Sequence, residues 1–336
     1  MRHLLSRRAL AWALCICVAS SAPALAGPSN RRRARVGVRY LLTQQRDSGA
    51  VPAFSKFGST ADAVVAMVAA RRSPRGIRQA LRWLREHPGQ ATTIGLRAKL
   101  VLALVAAGRS PRDFADRNWV ARIRGSELPS GRYGAGTAVF DQALAILALR
   151  GAGASPSQNA RNWLADAQCP DGGWQFDAPY NAASENQHCQ GDRDTDFFRA
   201  EADATSLAIQ ALEADPAVNP FPFLRSLRDS RKHGWGYNSD FPMTNANSTA
   251  LVLQAYAAEG RDLPRRGVRA LKRLQYPLCG KGAGAFAYSW ERRDGELRRT
   301  GRDVGATIGA IPGLLEKPLP IAARDVTKPA PRPGPC

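Results

Sequence analysis

The chain has 336 residues, with 48 Lys and Arg against 28 Asp and Glu, for a formal net charge of +20. That length allows one large core or two modest ones. No stretch is apolar for long enough to span a bilayer, and the arginines are scattered without aromatic interleaving. A transmembrane protein and a nucleic-acid partner are therefore not expected.

Residues 1–26 read as a secretory leader rather than as structure. Arg2, Arg7 and Arg8 precede an apolar run from Ala9 to Ala19, and Ala24-Leu25-Ala26 offers a small-x-small cleavage site before Gly27. The expectation is a secreted, extracellular mature chain of 310 residues whose charge, three arginines fewer, is +17. Residues 27–35 form a basic N-terminal segment. Cys15 and Cys17 would leave with the leader. Cys169, Cys189, Cys279 and Cys336 remain, an even number suited to disulfides in an oxidising compartment, with a pairing that sequence leaves open. Cys169 with Cys189 and Cys279 with Cys336 are the preferred pairs, because each would tie down an irregular segment.

From residue 36 to 317 one pattern recurs: an amphipathic helix, a turn of glycine plus an aromatic, then a more apolar helix beginning at a polar residue. Six copies can be anchored, at Asp62, Lys99, Asp141, Asp203, Asn247 and Asp303. The runs that follow, such as Ala63 to Ala70 and Leu100 to Ala107, are apolar on nearly every side, which predicts burial. The helices before the turns, such as Arg78 to Leu84 and Arg269 to Leu274, carry one apolar stripe and one charged face, which predicts an outer position. Six alternating outer and inner helices close most simply into an all-α (α/α)6 toroid, with an open solenoid as the rival. The acidic or amide anchors are expected to cap the inner helices, and Lys99 to project instead.

The turns pair glycines with an aromatic that can stack on a neighbouring copy. The fullest is Gln168-Cys169-Pro170-Asp171-Gly172-Gly173-Trp174; Gly234-Trp235-Gly236-Tyr237 is another. Gln168, Gly172, Gly173, Trp174 and Trp235, with the anchors Asp62, Asp141, Asn247 and Asp303, are the predicted structural set. Copies four and six carry insertions. The first lies in an acidic stretch, with eleven acids between Asp166 and Asp215 against Arg193 and Arg199. In it Asp192, Asp194 and Asp196 alternate like the start of a calcium loop, although Phe197 stands where such a loop needs glycine, so a looser calcium site is the expectation. Residues 318–336, with six prolines, read as an extended tail.

The sequence Gln-x-x-Asp-Gly-Gly-Trp, followed by an apolar helix opening on Asp203-Ala204-Thr205, resembles the repeats of squalene and other class II terpene cyclases and of protein prenyltransferase beta subunits. That resemblance implies an (α/α)6 toroid. In the cyclases the general acid is the central Asp of a D-x-D-D-T signature. The matching stretch is Glu201-Ala202-Asp203-Ala204-Thr205, which makes Asp203 the candidate acid and Glu201 its neighbour, with Ala204 replacing the following Asp. The prenyltransferase zinc set has no counterpart, since His87, His188 and His233 have no second donor at ligand spacing. Secreted cobalamin carriers share the toroid and its disulfides. The expected function is a secreted, monomeric toroid that binds an isoprenoid, lipid-like or cofactor-like ligand, or an extracellular or wall partner, in its cavity and inserted loops. The alternative is a terpene-cyclase-like enzyme using Asp203 on an isoprenoid.

Overall fold

The computed structural model describes residues 27–136, 138–177, 199–212, 216–324 and 326–327. The leader, Cys189, the Asp192, Asp194 and Asp196 triplet, and Cys336 lie outside the described residues. Cys169 and Cys279 do not behave as free thiols, but each of their expected partners is in that outside group.

Even-numbered helices form an inner layer: α2 (Lys56–Ala69), α4 (Ile94–Ala106), α6 (Val139–Gly151), α8 (Ala202–Leu212), α10 (Ala246–Ala258) and α12 (Val304–Leu314). Each packs on the next, and α12 packs back on α2, so the layer closes on itself. Odd-numbered helices lie outside it: α1 (Pro28–Gln44), α3 (Pro74–Glu86), α5 (Trp119–Arg124), α7 (Gln158–Asp166), α9 (Pro220–Ser226) and α11 (Arg265–Leu274). The fold is thus an α-helical toroid. Composition explains the division. In α3, Ile77, Ala80, Leu81, Trp83 and Leu84 are buried while Arg75, Arg78, Arg82 and Arg85 face water. In α6, every residue from Gln142 to Leu149 is buried, and only a helix surrounded by others can hold so apolar a run.

Glutamine amides tie four of the turns to the next outer helix. Gln45 Nε2 donates to the carbonyls of Gly49 and of Gly76 on α3, both at 2.9 Å. Gln168 Nε2 reaches Gly172 at 3.0 Å and Val218, just before α9, at 2.6 Å. Gln142, placed on an inner helix, does the same for Gly131 and for Ala160 on α7. Gln275, after α11, bonds Gly284 and Arg33 of α1 at 3.0 Å each. This last clasp joins the end of the chain to its beginning. The turn glycines are needed because the chains touch: Gly284 has φ +80°, and a Cβ there would lie 2.6 Å from the Val36 carbonyl carbon of α1.

The turn aromatics are fixed from both sides. Trp174 N donates to Thr205 Oγ1 at 2.8 Å and its indole to the Leu164 carbonyl at 2.8 Å. Trp235 repeats this with Thr249 at 3.0 Å and Leu224 at 2.6 Å. Phe286 N uses Thr307 at 2.9 Å, Val51 N uses Thr60 at 2.9 Å, and Tyr133 N uses Gln142 Oε1 at 2.9 Å.

These bonds correct the expected caps. The structural copies are in register on Thr60, Gln142, Thr205, Thr249 and Thr307, and a side-chain cap sits four residues before three of them: Glu201, Asn245 and Asp303. Of the predicted anchors only Asp303 caps its own helix. Ser55 caps α2 and Thr93 caps α4. Asp62, Asp203 and Asn247 lie past the caps and line the central cavity. Asp141 Oδ2 instead accepts from Gly95 N at 3.2 Å, at the start of the neighbouring helix α4.

The described part of the tail packs against the helices. The chain after α12 crosses the C-terminal ends of the inner helices. Gln254 Nε2 donates to Lys317 O at 2.6 Å, Leu319 N to Gln210 Oε1 at 2.9 Å, Arg324 N to Ala106 O at 3.0 Å and Arg78 Nη1 to Val326 O at 3.0 Å. The described part of the Pro-rich segment is therefore the floor of the toroid. Replacing Gln275 with Ala takes the Gln275 donor from the buried Gly284 carbonyl and removes the bond to Arg33 of α1, and is expected to lower stability by about 1–3 kcal/mol, whereas Arg82→Ala on the exposed face of α3 stays within about 0.5 kcal/mol; denaturant midpoints check both.

Candidate functional site

A cavity of about 330 Å³ occupies the centre, at the low end of the size range of small-molecule sites. All six inner helices line it. The loop Ala53-Phe54-Ser55 marks its open end, where Phe54 is fully exposed, and Leu319 of the crossing segment closes the other. Its lower walls are aliphatic: Val65, Leu102, Leu144, Leu207, Leu251 and Ile308. On the α12 side Gly305 and Gly309 contribute no side chain and leave room.

Above the aliphatic walls lies a polar ring. Lys99 Nζ on α4 meets Asp62 Oδ2 on α2 at 2.7 Å. Burial pulls the Lys99 ammonium down, but the carboxylates of Asp62 and Asp141 outweigh it, so the net direction is up and Lys99 stays charged. Asp141 is itself pushed up by burial, against the opposing Gly95 amide and Lys99.

Asp203 on α8 also lines the cavity, and Glu201, fully buried and not among the lining residues, lies beside it. Glu201 belongs to the short strand β2 (Ala200–Glu201), paired antiparallel with β1 (Trp174–Gln175) so that Trp174 faces Glu201. That pairing brings the two ends of the copy-four insertion together beside the cavity. Glu201 is fully buried, and its carboxylate accepts from Ala204 N at 2.6 Å and closely from Asp203 N. It is the cap of α8, a role the sequence reading gave to Asp203. Part of the Asp203 surface opens into the cavity, while protein encloses it on every other side. Its one side-chain partner is Ser248 of α10, and Asp203 Oδ1 has no hydrogen-bond partner among the described residues.

Burial raises both carboxyls. Asp203 is pushed up to about 6, with Ser248 opposing. Glu201 is raised well above the usual range by burial and then by the charge of Asp203, against two backbone amides. Two enclosed carboxyls so close cannot both ionise cheaply. Burial and the same two acids also raise the phenol of Tyr237, whose carbonyl accepts from Ala202 N at 2.8 Å. Asn247 on α10 completes the ring. Its Oδ1 is buried without a partner, and a Cβ at Gly309 would lie 2.8 Å from it.

The structure therefore brings Asp62, Asp203 and Asn247 to one cavity, with Asp141 just behind Lys99. It leaves Gln168, Gly172, Gly173, Trp174, Trp235 and Asp303 in the scaffold. Among the described residues no cluster of three or more His, Cys, Asp or Glu could hold a metal, and no helix is long and apolar enough to cross a membrane. Sequence reasoning missed the Lys99–Asp62 pair as a site feature. The signal was a lone cation in an otherwise apolar run, one copy after a lone acid in another. Leu319 was missed because its segment read as external.

The chain matches no protein-family model and no curated protein sequence. Solved structures do share its fold. One is a protein from Actinoplanes, 17% identical over 85% of this chain and 99% of that one, with a TM-score of 0.54. Another is an arginine-to-alanine variant of the type II terpene cyclase MstE from Scytonema in complex with geranylgeranyl dihydroxybenzoate, 14% identical over 85% and 97%, TM-score 0.56. A D-mannose isomerase aligns over 88% of this chain and 100% of its own, at 10% identity and a TM-score of 0.56. At such identities the likeness is one of fold alone.

The raised Asp203 gives a pH test. A carboxyl with a folded value above its unfolded one contributes most below about pH 4, and that contribution is lost as pH rises towards the folded value of about 6. Asp203→Asn should therefore raise the melting temperature at about pH 7 and leave it nearly unchanged at about pH 4, as read by thermal melts at the two pH values.

Proposed function

We propose that this chain is a six-hairpin (α/α)6 toroid that holds one small, largely aliphatic molecule, isoprenoid or lipid-like, in its central cavity. The observation that carries this reading is the cavity's form: aliphatic walls from every inner helix, a polar ring above, a floor at Leu319 and one open end at Phe54. A site that only needed filling would be closed by larger side chains, as protein interiors are close-packed. Gly305 and Gly309 do the reverse on α12. Secretion after cleavage near Ala26, the Cys169–Cys189 and Cys279–Cys336 pairs, a monomeric state and a calcium-ordered insertion belong to the same proposal. An exported carrier or sensor of an apolar ligand fits that set of features.

A second reading has one observation in its favour. Asp203 occupies the position that the cyclase resemblance gives to the general acid, and burial keeps its carboxyl protonated at mildly acidic pH. Proton transfer from Asp203 to an alkene would generate a carbocation in the cavity below. The walls there are Leu, Val and Ile, whereas aromatic faces are the side chains that stabilise a cation. Phe140 and Phe54 are the aromatic residues in the lining. That composition favours holding a ligand over cyclising it.

Mass spectrometry of small molecules co-purifying with the chain, together with farnesol titration, tests the proposal. The expected result is one apolar molecule per cavity and a Leu144→Trp variant that melts no lower yet binds farnesol at least about tenfold more weakly, a change of about 1.4 kcal/mol. No co-purifying ligand and no effect of Leu144→Trp would reject it. Cyclised product from a linear polyprene, lost in Asp203→Asn, would instead establish the enzymatic reading.

A further inference from the structure

We infer that a second site lies on the outer wall of the toroid, a groove of arginines that holds a linear chain of phosphates. It shares no residue with the central cavity and does not depend on what that cavity binds. The groove has a volume of about 380 Å³ and is lined by Arg78, Leu81, Arg82 and Arg85 of α3 and by Arg109 and Phe114 of the chain between α4 and α5. A depression of the same volume adjoins it through Arg109 and reaches Arg324 of the floor segment. Leu81 and Phe114 are buried, while Arg78, Arg82, Arg85 and Arg109 are exposed, so the chemistry open to a ligand is that of guanidinium groups.

Three observations carry it. The first is charge without compensation. Like charges four residues apart, as in Arg78 and Arg82, destabilise a helix, and none of Arg78, Arg82, Arg85, Arg109 and Arg324 forms an ion pair among the described residues. The crowding continues at the far end, where burial and then Arg71 pull the Arg324 guanidinium down. The second is spacing. Arg78, Arg82 and Arg85 follow one face of α3 over about 10 Å, too far for a single phosphate to serve all three, so the matching ligand repeats its anion along a chain. The third is donor chemistry. Every polar side chain in the α3 groove is an arginine, which donates and cannot accept. Sugar hydroxyls and peptide amides bring donors that would find no side-chain acceptor there, whereas a phosphate chain presents only acceptors, and the guanidinium fork takes phosphate oxygens two at a time. Two of the heads are already held: Arg78 Nη1 donates to the Val326 carbonyl at 3.0 Å, and the Arg85 guanidinium stands 4.9 Å from the centre of the Phe114 ring. Heads fixed beforehand lose less freedom on binding.

Calorimetric titration of the full chain with inorganic polyphosphate, orthophosphate, heparin, polyglutamate and duplex DNA, at an ionic strength of about 0.15 M, tests this inference. Polyphosphate is expected to bind at least about tenfold tighter than any of the others. Replacing Arg82 and Arg109 together with Gln, both exposed and free of side-chain bonds to the described residues, should weaken it at least about tenfold. Arg265→Gln with Arg269→Gln removes the same charge from the exposed face of α11, which lines neither depression, and should change the affinity by less than about twofold. Melting curves check that both double variants stay folded. Equal losses from the two double variants would overturn the inference, since they would reveal only diffuse attraction to a protein of net charge +20. Orthophosphate binding as tightly as the chain, tighter binding of heparin, polyglutamate or DNA, or no binding of polyphosphate would each overturn it as well.

Discussion

The structure depends on a side-chain amide that holds two carbonyls at once. In Gln45, Gln168 and Gln275 the same NH2 group spans the glycine of its own turn and the backbone of the next outer helix. One donor group with two protons suits this task, and a glycine is required because the two backbones approach to contact distance. Each clasp fixes the angle between successive hairpins, and Gln275 applies that angle a last time, to α1. Where the angles sum to closure, the inner helices have no solvent side and must be apolar throughout. The cavity is what remains at the axis when helices of this diameter are arranged in a ring and their axial residues stay small or medium-sized.

Much of this was legible in the residues. The contrast between the arginine-lined outer helices and the alanine-rich inner ones comes straight from hydrophobic periodicity. The Gly-aromatic turns announce where the chain reverses. The register of the copies was not legible. Asp62, Asp141 and Asp303 look alike as first polar residues of apolar runs, yet they do three different things: Asp303 caps α12, Asp141 accepts from the start of α4, and Asp62 pairs with Lys99. Helix starts are set by whichever nearby side chain can reach a free amide, and Glu201 and Asn245 reach it from positions that the periodicity places outside the helix. The feature that recurs in five of the copies is instead a hydroxyl or amide that receives the turn, such as Thr205 for Trp174 and Thr249 for Trp235. A threonine inside an apolar run gives no such signal until its partner is known.

The site was legible only in its parts. Asp203 stood out by its resemblance to a catalytic acid, and Glu201 by its neighbourhood. What the geometry adds is a division of labour: Glu201 caps the first amides of α8, while Asp203 is at the cavity wall. The same toroid carries a terpene cyclase in one neighbour and a mannose isomerase in another, so the fold does not by itself fix the chemistry. Here the lining is aliphatic with an acid-rich collar, in a protein that is otherwise strongly basic. The floor at Leu319 could not be read from a segment of prolines, since a chain without regular structure gives no periodicity by which to place it.

Closure is the claim on which the cavity, the collar and the ligand all rest, and hydrogen-exchange mass spectrometry of the full chain beside Gln275→Ala tests it most directly. If α1 and α12 form one seam, amides of α1 and of α12 lose protection together when the clasp is removed, while α4 and α6 on the far side hold theirs. Loss of protection in α1 alone, with α12 unchanged, would mean that the first and last helices are not joined, and the ring would be open.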